Sequence, residues 1–187
     1  MNNSIFKNYL VLDNALDNPY DLLNQANSIN YFTNESKSFT NFNLSVLNKP
    51  PGIWRGYRSE QLDIVIPNLF SNVTNQIMEK VLGMVNFQYV ISSYLHRGDE
   101  SIDSSNLWHV DQNVILAYVV YLNANPPTQS GTLLKINDEI IPIENKFNRL
   151  LVYNSAIEHR VERFFGDTFE NSRLTLTGFV HKLAISN

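Results

Sequence analysis

The sequence contains no cysteine in its 187 residues. Disulfides, thiolate metal ligands and iron–sulfur clusters are thereby excluded, and any metal must rely on histidine and carboxylate. No run of about 18 apolar residues occurs, so the pattern holds no transmembrane helix. Charge is also sparse: 14 Lys and Arg stand against 18 Asp and Glu, for a net charge of −4, with no basic stripe. Nucleic-acid binding is therefore not expected as the main role. Met1 to Leu12 is interrupted by Asn, Lys and Tyr and has no signal-peptide core, which points to the cytoplasm. Asn-x-Ser/Thr sequons at Asn34, Asn43 and Asn72 carry no weight in so Asn-rich a chain.

What is present is enough apolar material for a core. Hydrophobic residues make up 43% of the chain, and its length suits a single domain over 1–187. Two parts are expected, an N-terminal strand with buttressing helices over 1–83 and a β-rich core over 84–187. Tyr9 to Leu12 reads as a short strand. Asn18-Pro19 predicts a capped helix start, and Leu22, Leu23, Ala26 and Ile29 carry it to about Ser28. Residues 30–49 read as irregular, and Pro50-Pro51-Gly52 as a turn. A second helix is predicted from Pro67 to Leu82, with Leu69, Val73, Ile77 and Val81 on one face and Gly83 as its stop.

Beyond Gly83 the pattern turns to short β-branched and aromatic runs. Strands are predicted at 87–95, 107–110, 114–122, 132–136, 139–143, 149–153, 159–164 and 173–182. Eight short strands in that space suggest a sandwich or barrel.

One tetrapeptide carries metal-binding chemistry: Trp108-His109-Val110-Asp111. On a strand, period-two alternation puts His109 and Asp111 on one face, able to share an ion. His159 heads a later strand. Taken alone it is as compatible with a packed or surface histidine as with a ligand. Two imidazoles and a carboxylate together form the facial triad of iron(II) oxygenases, with three positions left open. Arg173 and Thr175 follow, spaced i, i+2 on the last strand. The guanidinium can clamp a carboxylate through two parallel hydrogen bonds, and the hydroxyl can add a third. The bland alternative is a surface arginine on an amphipathic strand.

In this order and spacing, the elements resemble the 2-oxoglutarate and iron(II)-dependent dioxygenase superfamily, and most its small prolyl-hydroxylase-like microbial and phage members. The resemblance runs from about Phe87 to Lys182. Val120-Tyr121-Leu122-Asn123 with Ser130-Gly131-Thr132, the run Arg149 to Tyr153, and Leu10 to Leu16 are further echoes. It implies that His109, Asp111 and His159 hold Fe(II). It implies that Arg173, beside Thr175, pairs with the distal carboxylate of 2-oxoglutarate, and that Tyr94 and Tyr121 lie near this co-substrate. O₂ is then consumed and succinate and CO₂ are released as an unidentified small-molecule or peptidyl substrate is hydroxylated. No catalytic group beyond the metal centre is implied. The presence of Asp111 argues against the halogenating variant, which needs that position vacated. Ser130 stands where the family usually has glycine, and Gly166 to Asn171 reads as an inserted turn.

The expected architecture is mainly β with N-terminal helices, a double-stranded β-helix or cupin-like jelly roll. The Pro19 and Pro67 helices should cover the outer face of its major sheet. A cupin-type iron dioxygenase without 2-oxoglutarate and a non-catalytic cupin-like binding module are the rival readings. Trp54-Arg55-Gly56-Tyr57-Arg58 reads as an aromatic–basic loop, fit either for an anionic substrate or for pinning to the core. His96 and His181 read as structural or exposed. Oligomeric state is not legible.

Overall fold

A computed structural model describes residues 8–33, 54–83 and 87–185, without the side chains of Phe87 and Ile185. The elements in chain order are β1 (Tyr9–Leu12), α1 (Pro19–Ala26), β2 (Tyr31–Thr33), β3 (Tyr57–Ser59), α2 (Leu62–Val65) and α3 (Pro67–Leu82). There follow β4 (Phe87–Gly98), β5 (Leu116–Tyr121), β6 (Thr132–Ile136), β7 (Glu139–Ile143), β8 (Leu150–Asn154), β9 (Glu158–Val161) and β10 (Arg173–Ile185). Among these residues no helix is long and apolar enough to cross a membrane.

Two antiparallel sheets face each other. The major sheet has seven strands in the order β1-β8-β5-β10-β4-β3-β2, and the minor sheet has three, β7-β6-β9. Strand β5, Leu-Ala-Tyr-Val-Val-Tyr, shows why the sheet is apolar on both faces: all six residues are buried. Its Leu116, Tyr118 and Val120 point outward to the helices, packing with Leu22, Leu62, Val73, Ile77 and Met78. Its Ala117, Val119 and Tyr121 point inward, packing with Leu134, Ile143, Leu151 and Tyr153. A strand covered on both faces loses the polar alternation of a half-exposed one.

Gly178 serves the outer layer. It lies opposite Tyr118 on β5 and Ser93 on β4. The Tyr118 ring lies where a Cβ on residue 178 would stand, and its hydroxyl meets Ser93 Oγ at 2.6 Å. The ring thus covers the bare glycine backbone and satisfies its own polar end.

The helix α3 follows its expected bounds, with Val73 and Ile77 buried and Leu69 and Val81 packed at the margin. Gly83 ends it at φ 76°. Asn18 makes no side-chain capping bond, which leaves Pro19 alone to start α1.

Other expectations are corrected. Residues 107–110 form no strand; only His109 bridges, to His159. Tyr57 and Arg58, expected on a loop, lie in β3, which joins the major sheet through β4. Tyr31 to Thr33, expected to be irregular, pairs with β3. The turn expected at Pro50-Pro51-Gly52 lies outside the described residues.

Candidate metal centre

The segment before β5 is held by side chains, not by a ladder. Arg160 on β9 donates from one nitrogen to the carbonyls of Ser104 (3.2 Å), Val161 (3.0 Å) and Glu162 (3.1 Å). Its guanidinium carbon lies 5.2 Å from the centroid of the Trp108 ring. This clamp brings the chain alongside β9. The His109 N–H then donates to the His159 carbonyl at 3.0 Å, and the His159 N–H to the His109 carbonyl at 2.9 Å. A pair exchanging both bonds sits directly opposite, with side chains on the same face. The Asp111 N–H donates to Ser155 O at 3.1 Å, in the turn between β8 and β9. The expected period-two geometry is thus replaced by one bridge and one turn contact.

The three side chains converge. Asp111 Oδ1 lies 4.0 Å from His109 Nε2, and Asp111 Oδ2 lies 3.5 Å from His159 Nε2. One ligating atom from each residue can be chosen so that all three lie within 4.8 Å of one another.

Each imidazole is held by its other nitrogen. His109 Nδ1 meets Leu107 O at 2.8 Å, and His159 Nδ1 meets Ile157 O at 2.9 Å. A carbonyl only accepts, so Nδ1 carries the hydrogen and Nε2 the lone pair. Both lone pairs then lie beside a carboxylate, the donor set a divalent cation requires. Burial pushes the His159 pKa down, against the pull of Asp111, which keeps the ring neutral for ligation. Three donors around an ion with bonds of ~2.1 Å stand about 3 Å apart. Closing the observed gaps takes modest rotation, which the 55% exposed His109 side chain can supply.

Tyr153 is a member of this site that the sequence reading did not single out. It is buried, with its hydroxyl 3.0 Å from His159 Nε2 and 3.4 Å from Asp111 Oδ2. Burial, then the Asp111 charge, raises its pKa well above the ordinary value, so it is a neutral donor. The available signal was its place on the strand before His159, in alternation with the inward Leu151.

Along the inner face of the major sheet, paired positions run Arg58, His96, Thr175 and Tyr121 across β3, β4, β10 and β5. Arg173 is buried, its Nε donating to Ser130 O at 3.0 Å, with Tyr121 beside it at 5.6 Å. Tyr121 donates its hydroxyl to Thr132 Oγ1 at 2.8 Å. No carboxylate pairs with Arg173 among the described residues, and two of its five N–H groups at most reach the backbone. Thr175 is buried one step along the same strand face. Tyr94 lies farther along β4, with its ring under Arg58. His96 is partly buried within this row, and His181 meets Ser92 Oγ at 2.7 Å.

Both departures from the expected pattern have a structural account. Ser130 contributes its carbonyl to Arg173, which any residue can do, and folds its hydroxyl onto Pro127 O at 2.6 Å. Gly131 is the position with no room, because an added Cβ would strike Ile143 O. The inserted turn is closed by Asn171 Oδ1, which accepts from Thr168 N at 2.9 Å. The Arg173 N–H then returns to Phe165 O at 3.2 Å, restoring register before β10 continues.

Residues 91–181 match the 2OG-Fe(II) oxygenase superfamily. No curated protein sequence matches the chain. Among solved structures it is similar to a prolyl 4-hydroxylase from Phytophthora capsici, with 16% identity and a TM-score of 0.52. That similarity covers 92% of this chain and 58% of the other, so the chain spans under two thirds of that relative. A Pseudomonas putida prolyl-4-hydroxylase has 14% identity, a TM-score of 0.54, and coverage of 92% and 87%. HygX from Streptomyces hygroscopicus, solved with nickel and 2-oxoglutarate, has 11% identity, a TM-score of 0.57, and coverage of 92% and 82%. At these identities the structures speak for the fold, a double-stranded β-helix.

Proposed function

We propose that the chain, whose residues 91–181 match the 2OG-Fe(II) oxygenase superfamily, is a hydroxylase of that superfamily whose Fe(II) is held by His109, Asp111 and His159. When bound, iron(II) and 2-oxoglutarate supply O₂-dependent oxidation of a substrate C–H bond, with release of succinate and CO₂. The observation that carries the reading is the pair of histidines tied through Nδ1 to Leu107 O and Ile157 O, with both Nε2 atoms beside Asp111. Structural histidines have no need of that shared orientation.

The chain's own groups then have assignable tasks. Arg173, buried and without a carboxylate partner among the described residues, receives the distal carboxylate of 2-oxoglutarate. Ser130 O fixes the orientation of its guanidinium. Thr175 and Tyr121 border the same end, and the Tyr121 hydroxyl is directed by Thr132. Tyr94 stands farther off, against Arg58, which favours a place beside the substrate over the expected place beside the co-substrate. Tyr153 meets His159 Nε2 while that lone pair is free, and once it ligates the ion the hydroxyl donates to Asp111 Oδ2. The inward apolar wall of Val119, Leu134 and Leu151 keeps water from the reacting centre. The substrate is a small molecule or a peptide side chain, and the cytoplasm, where thiols and ferrous iron stay reduced, is the proposed compartment.

The test is an anaerobic titration of the metal-free protein with Fe(II) and then 2-oxoglutarate, followed by visible absorption. A charge-transfer band that needs both additions is expected. Iron binding without the band would replace this reading with a cupin-type dioxygenase.

A further inference from the structure

Arg58 is a second buried cation on the inner face, and the co-substrate has no use for it. It is 9% exposed, and no hydrogen bond or ion pair joins it to any described residue. Arg97 and Arg160, by comparison, each spend terminal nitrogens on carbonyls. Among the described residues Arg58 is held by aromatic faces. Its guanidinium carbon lies 3.6 Å from the Tyr94 centroid, 5.0 Å from Trp54 and 5.6 Å from Phe179.

A guanidinium stacked on Tyr94 at that distance exposes its N–H edge and not its face. In register, Arg58 is opposite His96, which is opposite Thr175. Two strand spacings put it roughly 10 Å from Thr175. Arg58 and Arg173 thus flank the same stretch of sheet, and both their charges bear on His96 between them. Burial draws the Arg58 pKa down to about 10, so it remains charged at neutral pH.

We propose that Arg58, in its cradle of Trp54, Tyr94 and Phe179, is the anchor for a carboxylate on the substrate, so that the substrate is a carboxylate-bearing small molecule. The inference rests on the iron and 2-oxoglutarate reading, and deepens it by naming a substrate class. A carboxylate is favoured over a phosphate because one guanidinium offers one charge and a planar two-pronged edge. A phosphate dianion buried against apolar rings would need a further cation, and Arg173 is committed to the co-substrate.

The experiment uses the full chain with iron and 2-oxoglutarate under anaerobic conditions, for wild type, Arg58→Met and Arg58→Lys. The probes are the L-amino acids and simple aromatic and aliphatic monocarboxylates, each beside its carboxamide, with phosphate monoesters as a third set. Binding is read from melting temperature and from perturbation of the charge-transfer band. Some acids should bind wild type while their amides do not. Arg58→Met should weaken those acids by about tenfold or more, with Arg58→Lys between the two. The affinity for 2-oxoglutarate should stay within about twofold in both variants, which also shows that they fold. Amides binding as well as acids, phosphate esters binding in their place, or no acid binding at all would overturn the proposal. So would a loss of 2-oxoglutarate affinity confined to the Arg58 variants. If wild type forms no band, the co-substrate reading fails by itself, and the acid–amide comparison by melting temperature still decides the role of Arg58.

Discussion

His109 and His159 differ in surroundings although the proposal gives them one task. The His159 side chain is 7% exposed and the His109 side chain 55%. Replacing either with alanine is expected to abolish the iron-dependent band, as measured by Fe(II) titration. Tyr153→Phe removes the hydroxyl that orients Asp111 in the iron-bound site, and should weaken metal binding by about tenfold, the low end for an outer-shell partner. Arg173→Ala is expected to leave iron bound while raising the 2-oxoglutarate dissociation constant by about tenfold or more. The His109–Asp111 spacing is a weak signal alone in a chain with four histidines and 18 acidic residues; the candidate trio was legible because His159, Arg173 and Thr175 follow it in order on strand-like runs. Tyr153 was not, since a tyrosine in a β run is an ordinary strand former until register shows what it faces. Arg58 was legible as a charge in an aromatic cluster. Its burial among aromatic rings depends on β3 joining the sheet, which no local pattern announces.

Among the elements, α3 packs its buried stripe of Val73 and Ile77 into the outer core. Ile77 is fully buried beneath the major sheet. Ile77→Ala should cost about 2–5 kcal/mol in a urea melt, whereas Ile140→Ala, at a 57% exposed position, should change stability by no more than about 0.5 kcal/mol. Helix α3 was readable to the residue because an i, i+4 stripe between Pro67 and Gly83 has local signals at both ends. The short strands β2 and β3 at one end of the major sheet were not, having three residues each and no alternation long enough to detect. The supposed strand at 107–110 failed for the opposite reason. Its composition suits a strand, but its position is dictated by Arg160 and the bridge to His159.

For the molecule as a whole, acid is the revealing variable. His96 and His159 both have pKa values lowered by burial, with Arg58 and Arg173 adding to the effect at His96. The unfolded chain therefore binds their protons more readily. Their contribution is complete above the unfolded histidine value of about 6.5 and is lost as pH falls through the lowered folded values. Asp13 adds a second, smaller step. Its bonds to Arg149 and Lys146 hold it at about 2, so its contribution disappears between about pH 4 and 2. As Asp13 is largely open to solvent, that step should be under about 1 kcal/mol and shrink with salt. Chemical denaturation of the metal-free protein across pH 7 to 5 should show the histidine step, and added iron should enlarge it by competing with protons for Nε2.

Strand β10 pairs on one side with β4 and on the other with β5, at the centre of the major sheet, yet among the described strands it is the last in chain order. During synthesis, the facing edges of β4 and β5 emerge well before the strand that will join them. A nascent chain therefore exposes two complementary, apolar edges, the surfaces most apt to recruit a neighbouring chain. Arg173 and Thr175 arrive on that same strand, so the proposed co-substrate end of the site and the closing of the sheet are one event on the ribosome.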